Sequence, residues 1–233
     1  MLIRAIVAAL RQVLSPPLRR ILWRSLGLTL LLILVVWGLL TKGVGALLAA
    51  HPISTDYPVI DGFVYFLTGA GLFVALAYIM PAISALVAGF FLDDAALVVE
   101  TTDFPRETPG QALSVGRSIG YGLRFAGLAL FVNFCALVLF FIPGLNLIAF
   151  FAANAYLFGR EYFEMAAARF VPGGGAARLR EQNSGLVLAA GAVMAAFVLI
   201  PVVNLATPLF GIALMVHLNK AIAARGATAV REA

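Results

Sequence analysis

Charged side chains in this chain are gathered into a few clusters, and the long stretches between them set the predicted elements. Between Arg24 and Lys42 lie 17 uncharged residues, and the apolar character continues through Gly43 to Ala50. At about 1.5 Å per residue the combined stretch crosses a hydrocarbon layer roughly 30 Å thick. Between Asp61 and Asp93 lie 31 more uncharged residues, enough to span with tilt and with a kink available at Pro81. The pattern therefore predicts two spanning helices, over 18–50 and 62–92.

The second half has a different pattern. Residues 125–159 carry no charge for 35 positions but are cut by Pro143-Gly144, and 182–219 carry no Lys, Arg, Asp or Glu for 38 positions but are cut by Pro201 and Pro208. Each run is too long for one helix and barely long enough for two crossings. The last limb, 209–219, covers only about 17 Å as a helix. Two Pro-broken helical hairpins follow, with limbs that reach only part of the way through a bilayer. Ile142-Pro143-Gly144-Leu145-Asn146-Leu147 recurs 58 residues later as Ile200-Pro201-Val202-Val203-Asn204-Leu205. In both copies Pro ends one helix and Asn146 or Asn204 can cap the next, satisfying backbone donors that lipid cannot. One reading is a tight hairpin; the other is a duplicated re-entrant unit whose broken backbone lines a polar pathway.

Composition agrees with a membrane setting. Hydrophobic types make up 63% of the 233 residues and charged types 12%, both displaced from soluble averages in the membrane direction. The fold class expected is an all-α membrane protein, a single integral domain over 1–233. It comprises an amphipathic surface helix over 1–14, the two spans, a connector over 93–124, hairpins over 125–159 and 182–219, a connector over 160–181 and a tail over 220–233. If each hairpin returns to its starting side, one face holds 15 of the 16 bases and leaves only Lys42 on the other. The positive-inside rule then places both termini and both connectors in the cytoplasm. Five arginines and a double proline precede the first apolar run, unlike a cleavable signal.

Catalytic chemistry finds little support. Gly116-Arg117-Ser118-Ile119-Gly120 matches a nucleophile-elbow pattern, but no strand-like alternation precedes it. Gly116 and Gly120 read better as a small-residue helix-packing face. His51, His217 and Cys135 supply no recognisable metal set, and Cys135 lies in an apolar run suited to a buried small hydrophobe. Gly173-Gly174-Gly175 is a flexible joint without the ending of a phosphate loop. No enzyme, cofactor, metal or nucleic-acid partner is expected, since membrane orientation accounts for the net charge of +5.

Two polar groups remain. Ser15-Pro16-Pro17-Leu18-Arg19-Arg20 opens the first long helix, with Ser15 as cap, proline tolerated in the first turn, and free amides at Leu18, Arg19 and Arg20. Two guanidinium groups at a positive helix end suit a tetrahedral dianion, or alternatively anchor the chain on lipid phosphates. The second group is Arg160, Glu161, Tyr162 and Glu164 with Arg169. Arg160 and Glu164 are spaced to pair along a helix, and ionisable groups so close to a membrane face protein or water. They form either a structural ion-pair network or the lining or gate of a pathway. The acidic stretch from Asp93 and Asp94 through Glu100, Asp103 and Glu107 could supply partners for these arginines.

The order of these features resembles the CysZ sulfate permease family, related to the etoposide-induced membrane proteins. The resemblance covers nearly the whole chain: Pro17-Leu18-Arg19-Arg20, the two spans, the acidic connector, Gly159-Arg160-Glu161-Tyr162 and the paired hairpins. It implies two spanning helices, two pairs of hemi-penetrating helices and a homo-oligomer. It also implies channel-like inward passage of sulfate (with sulfite as a second anion) across the bacterial inner membrane for cysteine biosynthesis, without nucleotide hydrolysis. The family's Gly-Leu-Arg sulfate-binding motif maps onto Pro17 to Arg20; proline in place of glycine removes one backbone donor and leaves both arginines. On this reading Leu18, Arg19 and Arg20 bind sulfate. Arg160, Glu161, Tyr162, Glu164, Arg169, Asn146 and Asn204 line or gate its route, and membrane lipids surround it. The alternatives are a non-conducting membrane scaffold or accessory subunit, and a proton-coupled sulfate transporter using Glu161 or Glu164.

Overall fold

The computed structural model describes residues 1–50, 58–112, 145–171 and 174–232, together with single helical positions between 116 and 134. Among the described residues there are eight helices and no strand: α1 (Leu2–Val13), α2 (Pro16–Ala50), α3 (Pro58–Asp103), α4 (Leu145–Ala168), α5 (Gly175–Gln182), α6 (Ser184–Val198), α7 (Pro201–Asn204) and α8 (Thr207–Glu232). Pro143-Gly144 and Cys135 lie outside the described residues. The chain is an all-α membrane protein, as its pattern predicts. Pro16–Ala50 and Thr207–Gly226 are each long and apolar enough to cross a bilayer, and α5 with α6 forms a pair bent by 91°.

Two element boundaries differ from those expected. α3 runs 46 residues, passing position 92 and continuing to Asp103 through the first part of the expected connector. Its last three turns bury Ala95, Ala96, Val99 and Glu100, so a helical face in contact with protein carries it past the acid pair. The limb expected to end at 219 is also longer: α8 has 26 residues, about 39 Å at the helical rise, and absorbs the expected tail. Its residues from Leu209 to Val216 are almost wholly buried, and Ala221 to Ala224 extend the run with strong helix formers. α1 is amphipathic as expected, and it also packs a side of small residues on the core. Ala5, Ala9 and Val13 are buried against α8, while Ile3, Val7, Leu10 and Leu14 are exposed.

The core lies around α8. α1, α4, α6 and the end of α3 pack on it, and α4 packs extensively on α6. Close approach between α4 and α6 depends on glycine. A Cβ on Gly191 would overlap the Ala155 carbonyl oxygen and lie 2.7 Å from the Gly159 nitrogen, and one on Gly159 would lie 2.7 Å from the Val187 oxygen. Small residues four apart therefore form a packing face here. At Gly116 and Gly120, the pair read that way in sequence, a Cβ would meet nothing within 4 Å among the described residues. Phe197 of α6 stacks on Phe210 of α8 at 4.3 Å between centroids, closing the second hairpin. α2 pairs with α3 and otherwise exposes its apolar surface; the 18-residue apolar stretch that marks it as a span is 0% buried.

Candidate functional site

The first turn of α2 is held from one side only. Leu18 is 0% exposed, and Ile21 is buried with it in the same hydrophobic core that holds Ala5, Ala9 and Val13 of α1, which fixes the rotation of the helix. Arg19 and Arg20 then fall on the exposed side. The Arg19 amide already donates to the Ser15 carbonyl at 3.0 Å, so it is satisfied within the helix, leaving the guanidinium groups as the groups open to an anion. No ion pair among the described residues joins them to the cluster on α4.

That cluster forms two layers. In the first, Arg160 lies 3.5 Å from Glu164 one turn along α4 and 3.9 Å from Glu161. Arg180 Nε of α5 also lies within ion-pair distance of Glu164, at 2.9 Å, so one carboxylate sits between arginines of two helices. Glu161 is 1% exposed and Tyr162 3%. The Tyr162 ring meets Phe158 edge-on at 6.2 Å and packs against Gly211 of α8, placing it in the core between helices.

The second layer is built on Arg169. Its Nε donates to Glu100 Oε1 at 2.7 Å and its Nη2 to Glu100 Oε2 at 3.2 Å, while Nη1 pairs with the Asp93 carboxylate. This is a two-pronged guanidinium clamp on two acids, about one and three turns from the end of α3. The connector folds back onto it: the Gly110 amide donates to Glu100 Oε2 at 2.8 Å, and the Gln111 amide donates to the Arg169 carbonyl at 2.8 Å. Position 110 must be glycine for this approach, because a Cβ there would lie 2.7 Å from Arg169 Cβ. Burial pushes the Glu100 carboxyl upward, opposed by the Gly110 amide and the Lys220 charge, and lowers Arg169.

Sequence reasoning named the acidic stretch as a source of partners for Arg169. It did not identify α8 as the third element of the network. Lys220 pairs with Glu107 at 2.6 Å and lies 4.2 Å from the centre of the Phe170 ring. His217 Nε2 is 3.2 Å from Asp103 and 3.3 Å from Gln12 of α1. The available signal was that Lys220 is the first charged residue after 38 positions without Lys, Arg, Asp or Glu. Asn204 ends α7, is exposed, and its Oδ1 lies 3.4 Å from Thr207 Oγ1; it touches the start of α8 through a side chain instead of capping its backbone. Asn146 stands one residue inside α4, and its side chain lies outside the described residues.

The chain thus joins exposed arginines at a helix start, two extended apolar helices and a Pro-broken hairpin, in the order expected. Residues 5–208 match the family described as sulfate transporter CysZ/etoposide-induced protein 2.4. The chain belongs to that family. Comparison with curated proteins finds none that matches. For a CysZ/etoposide-induced family member the matched range takes in α1 to α7 and the beginning of α8, so both arginine groups lie inside it. A transporter-type family and apolar helices make this a membrane protein related to sulfate carriage.

Proposed function

We propose that this protein conducts sulfate through the bacterial inner membrane by a channel-like, non-enzymatic route that feeds cysteine biosynthesis. The observation that carries the reading is the first turn of α2. Leu18 is fully buried while Arg19 and Arg20 are exposed beside it, so two fixed positive charges stand at the head of an apolar helix 35 residues long. A dianion meets two guanidinium groups there in water, where attraction is moderate. A conducting pathway needs an entry or exit site that releases its ion readily. The hairpins α4 and α6 to α8 line the passage. Arg160, Glu161 and Glu164 act as its gate, and Arg169 fixes that gate to α3. The exposed apolar surface of α2 suits lipid and a second copy of the chain.

Radiolabelled sulfate uptake into proteoliposomes tests this, comparing the parent with Arg19→Ala/Arg20→Ala at matched folded protein. Uptake should fall at least tenfold in the double variant. Parent uptake no faster than in empty liposomes removes the conduction reading and leaves a scaffold. A coupled mechanism is the second reading, favoured by Glu161 at 1% exposure beside a charged layer. Coupling requires that an imposed pH gradient drive sulfate at equal sulfate concentrations, and that Glu161→Gln abolish that drive alone.

A further inference from the structure

A cleft of about 510 Å³ opens where α1, the end of α3 and α8 meet, away from Arg19 and Arg20 in the lining it draws on. Its polar lining is Arg4, Glu107, His217, Lys220 and Arg225. Glu107 is occupied by Lys220 at 2.6 Å, and among the described residues neither Arg4 nor Arg225 is within ion-pair distance of a carboxylate. Three bases against one acid leave the cleft cationic. Its remaining wall is apolar, from Ala5 and Ala8 of α1 to Phe104 and Ala221. A volume in this range accommodates a small-molecule headgroup and exceeds what a bare tetrahedral anion fills.

The setting of α1 selects the occupant. Its exposed row Ile3, Val7, Leu10 and Leu14 recurs at helical spacing and forms a stripe that lies in an interface. Arg4 follows Ile3 immediately, so it stands at the edge of that stripe, between it and the Ala5 and Ala8 side that lines the cleft. An amphiphile with its chains along the stripe would place a headgroup phosphate between Arg4, Arg225 and Lys220. We infer that this cleft binds the phosphate headgroup of an anionic membrane lipid, through Arg4, Arg225 and Lys220. The lipid would tie the surface helix to the end of α8 as each contributes one guanidinium. Fixed bases on two elements distinguish this from a loose polybasic attraction.

The test is native mass spectrometry of the full chain in detergent with phosphatidylglycerol, phosphatidylcholine or inorganic phosphate added. The parent should retain phosphatidylglycerol at least fivefold over phosphatidylcholine. Arg4→Gln/Arg225→Gln should lose that preference, while Arg11→Gln, exposed on the same helix but outside the cleft, should keep it. Ala8→Trp, which fills the cleft without altering charge, should also release the lipid, and covers the case in which the double variant fails to fold. Equal retention of the two lipids, or retention of phosphatidylglycerol in a folded double variant, overturns the proposal. Displacement of the lipid by equimolar inorganic phosphate overturns it too, since the cleft would then recognise a free anion.

Discussion

Arg169 shows how a charged residue is kept inside the protein. Its side chain is 2% exposed, that of Glu100 1%, and two carboxylates and two backbone carbonyls share its donors. Desolvating such a group is costly, and the return depends on complete pairing. Replacing it with methionine, similar in length, should leave Glu100 buried and Asp93 half-buried beside an apolar side chain and cost about 3–5 kcal/mol. Lysine keeps the charge but cannot bridge both acids in a plane, so Arg169→Lys should fall between the two. Thermal melting in detergent ranks the three proteins; a parent-like midpoint for the methionine variant would show that the clamp does not stabilise the fold. Arg19 and Arg20 should behave oppositely, losing no stability as alanines, because each is exposed.

At the scale of elements, the hairpins are held by backbone proximity. Gly191 and Gly185 occupy the same helix, α6, yet a Cβ on Gly191 would enter α4 while one on Gly185 would meet open space. Gly191→Ala should therefore cost about 1–3 kcal/mol through overpacking, and Gly185→Ala should be neutral or gain about 0.5–1 kcal/mol from helix propensity. Equal effects, measured by the same melts, would contradict the α4–α6 packing. The elements were largely legible because uncharged runs and prolines are local signals. The i, i+4 pair of Arg160 and Glu164 was legible for the same reason. The clamp on Arg169 was legible only as a choice among acids, since Glu100 lies 69 residues away and the connector's return depends on Gly110. The working small-residue pair at Ala155 and Gly159 lies inside an apolar run, where spacing alone does not set it apart.

For the whole molecule, the contacts among charged segments bear on orientation. Arg169 holds Asp93 and Glu100, Lys220 holds Glu107, and His217 touches both Asp103 and Gln12. The N-terminal helix, the first connector, the α4–α5 junction and the end of α8 therefore meet as one polar layer. Lys42 stands apart from that layer near the far end of α2, 35 residues long and extending about 52 Å at the helical rise. If the other bases lie on the side of this layer, as the sequence pattern predicts, the positive-inside rule turns it to the cytoplasm. In a Cys135→Ala background, Thr102→Cys and Arg178→Cys should react with a membrane-impermeant maleimide in inverted vesicles and resist it in spheroplasts. Lys42→Cys should show the reverse. Thr102 and Arg178 each lie close in sequence to the clamp partners Glu100 and Arg169, so their labelling from opposite sides would contradict the packing itself. Labelling of both from outside would preserve the packing and invert the orientation. Labelling of each from both sides would mean that the chain inserts in two directions, and the proposed anion site at Arg19 and Arg20 would then open on both faces of the membrane.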